Sequence, residues 1–427
     1  MMMSFFVFFM TLFFYVDCLI FFWCLPFFLF LFSFFWGGFF DGVFFVDYIS
    51  FLMLFVTLWI FFYSSVSLDN SWFSGGLFWL MVVFLFFSFS SFSMMVFYVC
   101  FEFVFVFMFL FLLGWGKTSE RLQASFYMFF YTILFSLPFL FLLVDFSFTF
   151  SVVFYFTSFH YYGDFFWSFL FLVFMVKLPL FGFHLWLPKA HVEVAPVSGS
   201  MILAGVLLKL GGYGIIRFFP LVGGLSYSFS YSLSLIFYLG LFGGLLVSLM
   251  CLRQMDLKMM IAYSSIVHMS VMILGVLSFT LWGEYGALLM MVSHGFVSSL
   301  LFYLMTFLYE CTHSRSFMFI KGVLSICPIF CFLWFFSCAL NFGVPPFMSF
   351  FSELLIFSSL GSFGILEWML VVGVCFFVGL YNVYLYVTTS FGILKVYGFL
   401  FVDSKFFLVC FGHLCFVLFY PLSFFVL

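Results

Sequence analysis

Apolar runs of about 20 residues, the length a helix needs to cross a hydrocarbon core, recur from one end of this 427-residue chain to the other. In lipid each backbone N–H and C=O must be paired internally, so such runs commit the chain to transmembrane helices. Charged residues are only 6% of the sequence, against 68% hydrophobic, and mean hydropathy is +1.37. The sequence is thus that of an all-α polytopic membrane protein.

Reading the runs in order gives about fourteen transmembrane helices, near 2–16, 18–36, 45–66, 76–92, 94–114, 122–144, 165–187, 197–219, 230–252, 258–280, 285–309, 323–360, 366–390 and 405–425. Nine of the twelve basic residues then fall on one side: Lys117, Arg121, Lys189, Arg253, Lys258, Arg315, Lys321, Lys395 and Lys405. The positive-inside rule places those loops on the matrix or cytoplasmic side and both termini opposite. Arg217 alone falls at the other face. One missed helix would scramble this sorting, so it supports the count.

Two spans carry their own breaks. Pro179 and Gly182 follow Lys177 in the seventh, and Gly343, Pro345 and Pro346 interrupt the twelfth. Broken helices five apart are what two five-helix repeats require, and transporters place such breaks at matching repeat positions. The expected organisation is helices 1–3 in residues 1–75, a first repeat in 76–220, a second in 221–390 and a last helix in 391–427.

A charge near the bilayer centre costs roughly 2.5–3.5 kcal/mol on insertion scales, so charges kept there have a use. Glu102, Lys177, Lys209 and Glu353 are all inside spans. Glu102 needs either a proton or a cationic partner, and Lys177 is the candidate. A Lys–Glu pair that opens and closes is a switchable proton site, while a static pair would only fix two helices. Lys209 can relay protons or snorkel its head to an interface. Glu353 follows the second break, where a protonatable carboxyl suits exchange with a cavity. His268 and His294, on adjacent spans with Ser264, Ser265, Ser293 and Ser298, can pass a proton between ring nitrogens. His184 and His191 flank the first break and lean towards structural roles. His160, His313 and His413 fall near span ends and receive none.

Other chemistries find little support. The sequence shows no Gly-rich phosphate loop, no cysteine pairs spaced for zinc or iron–sulfur, and no basic nucleic-acid patch. Eleven cysteines are scattered, and only Cys327 and Cys331 stand one turn apart, reading as small buried hydrophobes. Neither an Arg-rich presequence nor a cleavable signal with a basic start is visible.

The segment 175–217, MVKLPLFGFHLWLPKAHVEVAPVSGSMILAGVLLKLGGYGIIR, closely resembles the signature of the chain 4 family of mitochondrial NADH:ubiquinone oxidoreductase, respiratory complex I. FYVCFE, WGKTSERLQASFY and SLP within 97–138, CLRQMDLKMMIAYSSIVHMS at 251–270, SHGFVSSLLF at 293–302, LYECTHSR at 308–315 and PPFMSFFSELL at 345–355 agree in order. The resemblance implies an antiporter-like membrane-arm subunit with fourteen helices, two inverted five-helix repeats and broken helices 7 and 12. Carried over by motif, Glu102 and Lys177 are the first proton-site pair, Lys209 the connecting lysine, His268 and His294 the central axis and Glu353 the second-half site. It also implies that this chain binds no cofactor itself. NADH, FMN, iron–sulfur clusters and ubiquinone are expected in other subunits of the complex, its partners being those subunits and membrane lipids in the mitochondrial inner membrane. Val194 reads as an extra residue in the HVEAP run, while Cys311 and Met255 depart from the family in loops. A free-standing cation/proton antiporter and a purely tethering subunit are the competing readings.

Overall fold

In a computed structural model, residues 39–40, 45–66, 72–116, 120–149, 164–194, 198–218, 227–392 and 404–424 are described. The expected first two spans lie outside these residues, as does His160. The helices otherwise follow the hydropathy closely. They run α1 (Tyr48–Val66), α2 (Trp72–Ser90), α3 (Met94–Trp115), α4 (Arg121–Thr149), α5 (Asp164–Lys177), α6 (Trp186–Glu193), α7 (Ser198–Ile202), α8 (Leu208–Phe218), α9 (Tyr227–Arg253), α10 (Leu257–Leu277), α11 (Leu281–Thr312), α12 (Pro328–Phe342), α13 (Met348–Ser359), α14 (Ile365–Ser390) and α15 (Ser404–Phe424). Among the described residues, eight helical stretches are long and apolar enough to cross a membrane. The one sheet among the described residues is a hairpin of Phe39–Phe40 with Phe45–Val46.

The helices are layered by polarity in the reverse of a water-soluble fold. The helices that carry Lys209, His268 and His294, α8, α10 and α11, are almost wholly buried. Those at the periphery show large apolar side chains outward: Phe130, Leu134 and Phe141 on α4, and Ile365, Met369 and Phe376 on α14. Lipid tails solvate such faces as well as a protein core does, so polarity has to be gathered inside.

The expected break in the seventh span separates α5 from α6, and its backbone bonding follows from the proline. Pro179 has no N–H for the Met175 carbonyl, so Leu180 N–H donates to it instead (3.3 Å). That orphans the Val176 carbonyl, which accepts from the Trp186 indole at 3.1 Å. The second break separates α12 from α13. Gly343 ends α12 at φ +76°, a conformation a side chain resists, and Ser349 Oγ caps the Leu340 carbonyl at 2.7 Å.

The eighth span is not the single straight helix its hydropathy implies. A π-helical turn, Leu203–Leu207, lies between α7 and α8. It sits where two glycines let helices touch. A Cβ on Gly205 would collide with Ile60 of α1, and one on Gly295 of α11 would stand 3.3 Å from the Gly205 carbonyl.

Arg217, the exception to the charge sorting, is neutralised where it stands. Its guanidinium holds both oxygens of Asp47, with Nη1 to Oδ2 at 2.6 Å, and stacks over Tyr213. Asp47 also closes a reciprocal capping box with Ser50 at the start of α1. Burial pushes the Asp47 carboxyl up. The Arg217 bonds and charge, with Ser50, outweigh that and hold it below its ordinary value.

Candidate functional site

Lys177 ends α5, where the helix dipole favours a cation, and its head is fully buried. Its Nζ lies 3.4 Å from Glu102 Oε1 on α3, the partner expected from sequence. The separation is longer than the 2.7–2.9 Å typical of a charge-assisted hydrogen bond. Two aromatic faces complete the cage. Nζ sits 3.3 Å from the ring centre of Phe105 and 4.4 Å from that of Phe101. These positions flank Glu102 on one face of α3, so a single helix supplies the carboxylate and both rings. Among 88 phenylalanines nothing in the sequence singles out these two.

The backbone of Lys177 and Leu178 presses directly on α8. A Cβ on Gly211 would lie 3.3 Å from Lys177 Cβ and 3.2 Å from Leu178 N, so glycine is what permits the approach. Two residues before Gly211 stands Lys209. It does not snorkel. Its Nζ turns back along its own helix to the Ala204 carbonyl in the π turn and meets His294 Nδ1 of α11 at 2.8 Å. The π turn displaces the i→i+4 ladder and makes that carbonyl available.

His294 passes the line on to His268 of α10, the ring centres 5.7 Å apart. His268 faces Asn341 near the end of α12. Asn341 in turn donates to Asn382 Oδ1 of α14 at 2.9 Å. Both asparagines are buried and neither was singled out from sequence, where each is one polar residue in an apolar run. Glu353 stands apart from the histidines. Its carboxyl packs on Gly343, two residues beyond Asn341, where an added Cβ would come within 2.9 Å of Oε2. Among the described residues no basic side chain pairs with it.

Several expected neighbours have local work only. Ser264, Ser265, Ser293 and Ser298 all donate to carbonyls of their own helices, which satisfies a hydroxyl in an apolar setting without a relay. His184 Nδ1 accepts from Gly182 N–H at 3.3 Å, and its ring stacks on Phe181. His313 is a left-handed helix C-cap. His413 is not at a span end but fully buried inside α15, its Nδ1 meeting the Val409 carbonyl at 2.8 Å.

His191 differs from these. It is wholly buried, stacked face to face on Phe302 at 4.5 Å, and neither ring nitrogen has a hydrogen-bond partner among the described residues. Lys209 and Lys258 both lie within electrostatic reach of it. Lys258, read from sequence as a loop charge, is buried in the first turn of α10 and donates to the Val192 and Val194 carbonyls at the end of α6 (3.4 and 3.3 Å). Arg315 lies 4.0 Å from Glu193 beside it. Val194, the apparent extra residue, caps α6 and packs against Gly199.

The family described as NADH:quinone oxidoreductase/Mrp antiporter, TM matches residues 91–380. The NADH-ubiquinone oxidoreductase chain 4 of Locusta migratoria is 40% identical over 360 residues, covering 82% of this chain and 80% of that protein. Its counterpart in Artemia franciscana is 44% identical over 318 residues, 73% of this chain and 78% of the other. A chain of respiratory complex I from Thermus thermophilus superposes with a TM-score of 0.81 at 23% identity, over 92% of this chain and 88% of its own. A chain of the Mrp complex from Dietzia sp. DQ12-45-1b gives 0.77 at 18% identity, over 90% of this chain and 43% of the other. These last two speak to fold.

Proposed function

Since the chain belongs to the NADH:quinone oxidoreductase/Mrp antiporter membrane family, and within it to the NADH-ubiquinone oxidoreductase chain 4 proteins, we propose that it is a core proton-translocating subunit of a mitochondrial NADH:ubiquinone oxidoreductase. The observation that carries this reading is a succession of buried titratable groups brought together by the packing of α3, α5, α8, α10 and α11. Glu102 pairs with Lys177, Lys177 abuts α8 beside Gly211, and Lys209 bonds His294, which neighbours His268.

Each contact has a chemical use. When the long Glu102–Lys177 contact opens, the ammonium is free to approach Lys209, and its charge drives the Lys209 proton onto His294 Nδ1. The N–H bond at Lys209 breaks as the one at His294 forms, and His294 releases the proton on its other nitrogen towards His268. Glu353, beyond the second break, receives it on the far side. His191, between Lys258 and Lys209, suits uptake from the face rich in basic loops. The redox work of such a complex (NADH, FMN, iron–sulfur clusters and ubiquinone) belongs to its other subunits, and quinone reduction there biases the Glu102–Lys177 pair.

The two broken helices support a pair of inverted five-helix units, residues 76–220 and 221–390. The basic-loop sorting supports termini on the intermembrane-space side of the inner membrane. The test is blue-native electrophoresis of gently solubilised membranes with in-gel NADH oxidation and mass spectrometry, joined to proton pumping by a Lys209→Met variant. Co-migration with a large NADH-oxidising particle and lost pumping are expected. Migration as a small separate assembly would overturn the complex assignment, and undiminished pumping would overturn the relay.

A further inference from the structure

Two buried carboxamides meet where the helix 12 break begins. Asn382 is fixed by its own helix: Nδ2 donates to the Val378 carbonyl at 3.0 Å, so Oδ1 must face the other way. That oxygen accepts from Asn341 Nδ2. A carboxamide has one acceptor oxygen and one donor nitrogen, so the carbonyl of α14 dictates the orientation of both groups. Asn341 is left with its oxygen and second N–H for His268, which it faces with both side chain and backbone. His268 Nε2 has no hydrogen-bond partner among the described residues, so that nitrogen is left for the carboxamide.

The bland account is helix glue. Interhelical hydrogen bonds from asparagine hold membrane helices together modestly. Glue, however, has no reason to stand at this joint. On one side of Asn341 is the last histidine of the line, and two residues away on the other is Gly343 with the Glu353 carboxyl packed on it. An amide here does not ionise, yet it can accept from a ring N–H or donate to a bare ring nitrogen. It is suited to hold an imidazole through both protonation states.

We propose that Asn341, oriented by Asn382, is a positioning residue that holds the His268 ring where it can hand its proton across the helix 12 break towards Glu353. The inference rests on the proton-path reading above. Asn382 acts only through Asn341, so its removal has the milder effect.

The test compares Asn341→Leu, Asn382→Leu, Asn341→Gln and Lys209→Met in the assembled complex, reading protons pumped per NADH oxidised together with assembly and thermal midpoint. Asn341→Leu is expected to lower the proton ratio in assembled complex, Asn382→Leu to lower it less, and Asn341→Gln to recover part of it. If Asn341→Leu lowers the midpoint but keeps the ratio while Lys209→Met loses pumping, the pair is glue and this inference alone fails. If Lys209→Met also keeps the ratio, the path itself fails and the inference with it. Should Asn341→Leu not assemble, the ratio in Asn382→Leu decides, an unchanged value counting against the proposal.

Discussion

Removing one or both partners of the Glu102–Lys177 pair separates a proton site from a static brace. Unit charges 3.4 Å apart attract by about 5 kcal/mol at an effective dielectric of 20. In Glu102→Gln the ammonium, 1% exposed, keeps only the faces of Phe101 and Phe105, and a desolvated cation–π contact supplies about 2 kcal/mol. The rings are in place before and after the change and offset none of the lost attraction, so the variant is expected to lose about 3–5 kcal/mol, the range for breaking a buried pair. Lys177→Met should lose stability too, because it leaves a mostly buried carboxylate without its cation. Glu102→Leu with Lys177→Met should regain most of the stability, since no buried charge is left over, yet pump as poorly as the single variants. The assays are the thermal midpoint of purified complex and proton uptake by vesicles during NADH oxidation. Full pumping by the double variant would refute the proton role. A double variant as unstable as Glu102→Gln would refute the electrostatic accounting.

Three further outcomes follow from the packing. Gly211→Val should drive α8 from the Lys177 backbone, costing roughly 1–3 kcal/mol as an overpacked contact and lowering pumping, whereas the same change at Gly75, where a Cβ meets nothing within 4 Å, should pump normally. Trp186→Phe should strand the Val176 carbonyl at the first break and cost about 1–3 kcal/mol, read as a lower thermal midpoint. Arg217→Gln should destabilise the complex at neutral pH. Asp47 is lowered in the fold, so in the unmutated protein its contribution is present above the unfolded carboxyl value of about 3.9 and is lost as pH falls through its lower folded value. Stability measured down through pH 4 should therefore show less acid loss in Arg217→Gln.

Hydropathy and the prolines were enough to place nearly every helix and both breaks, because lipid leaves the backbone so few options. The charged side chains of the proposed path stand out for the same reason, their cost in apolar spans being visible without a structure. Phe101 and Phe105 were hidden because a ring that cages an ammonium reads like a ring that meets a lipid tail. Asn341 and Asn382 were hidden because each gains meaning only from the other, 41 positions away in the chain. The serines misled in the opposite direction, since a hydroxyl can satisfy itself on its own helix, and the sequence does not say which carbonyl it chooses. His191 is the instructive case. Beside a break it reads as structural, and what sets it apart from His184 is that neither of its ring nitrogens has a hydrogen-bond partner among the described residues.

The π turn at Leu203–Leu207 acts on the helix as a phase shift acts on a screw thread. Each α-helical residue advances about 100° around the axis, so the one residue accommodated in that turn decides which way everything after it points. Winding the same five residues as ordinary α-helix would leave the composition unchanged, yet Lys209 would be dialled roughly a quarter-turn away from His294. The chain would still look, by hydropathy, like a sound transmembrane span. The angular setting of Lys209 is thus stored in a count of residues rather than in the identity of any one of them.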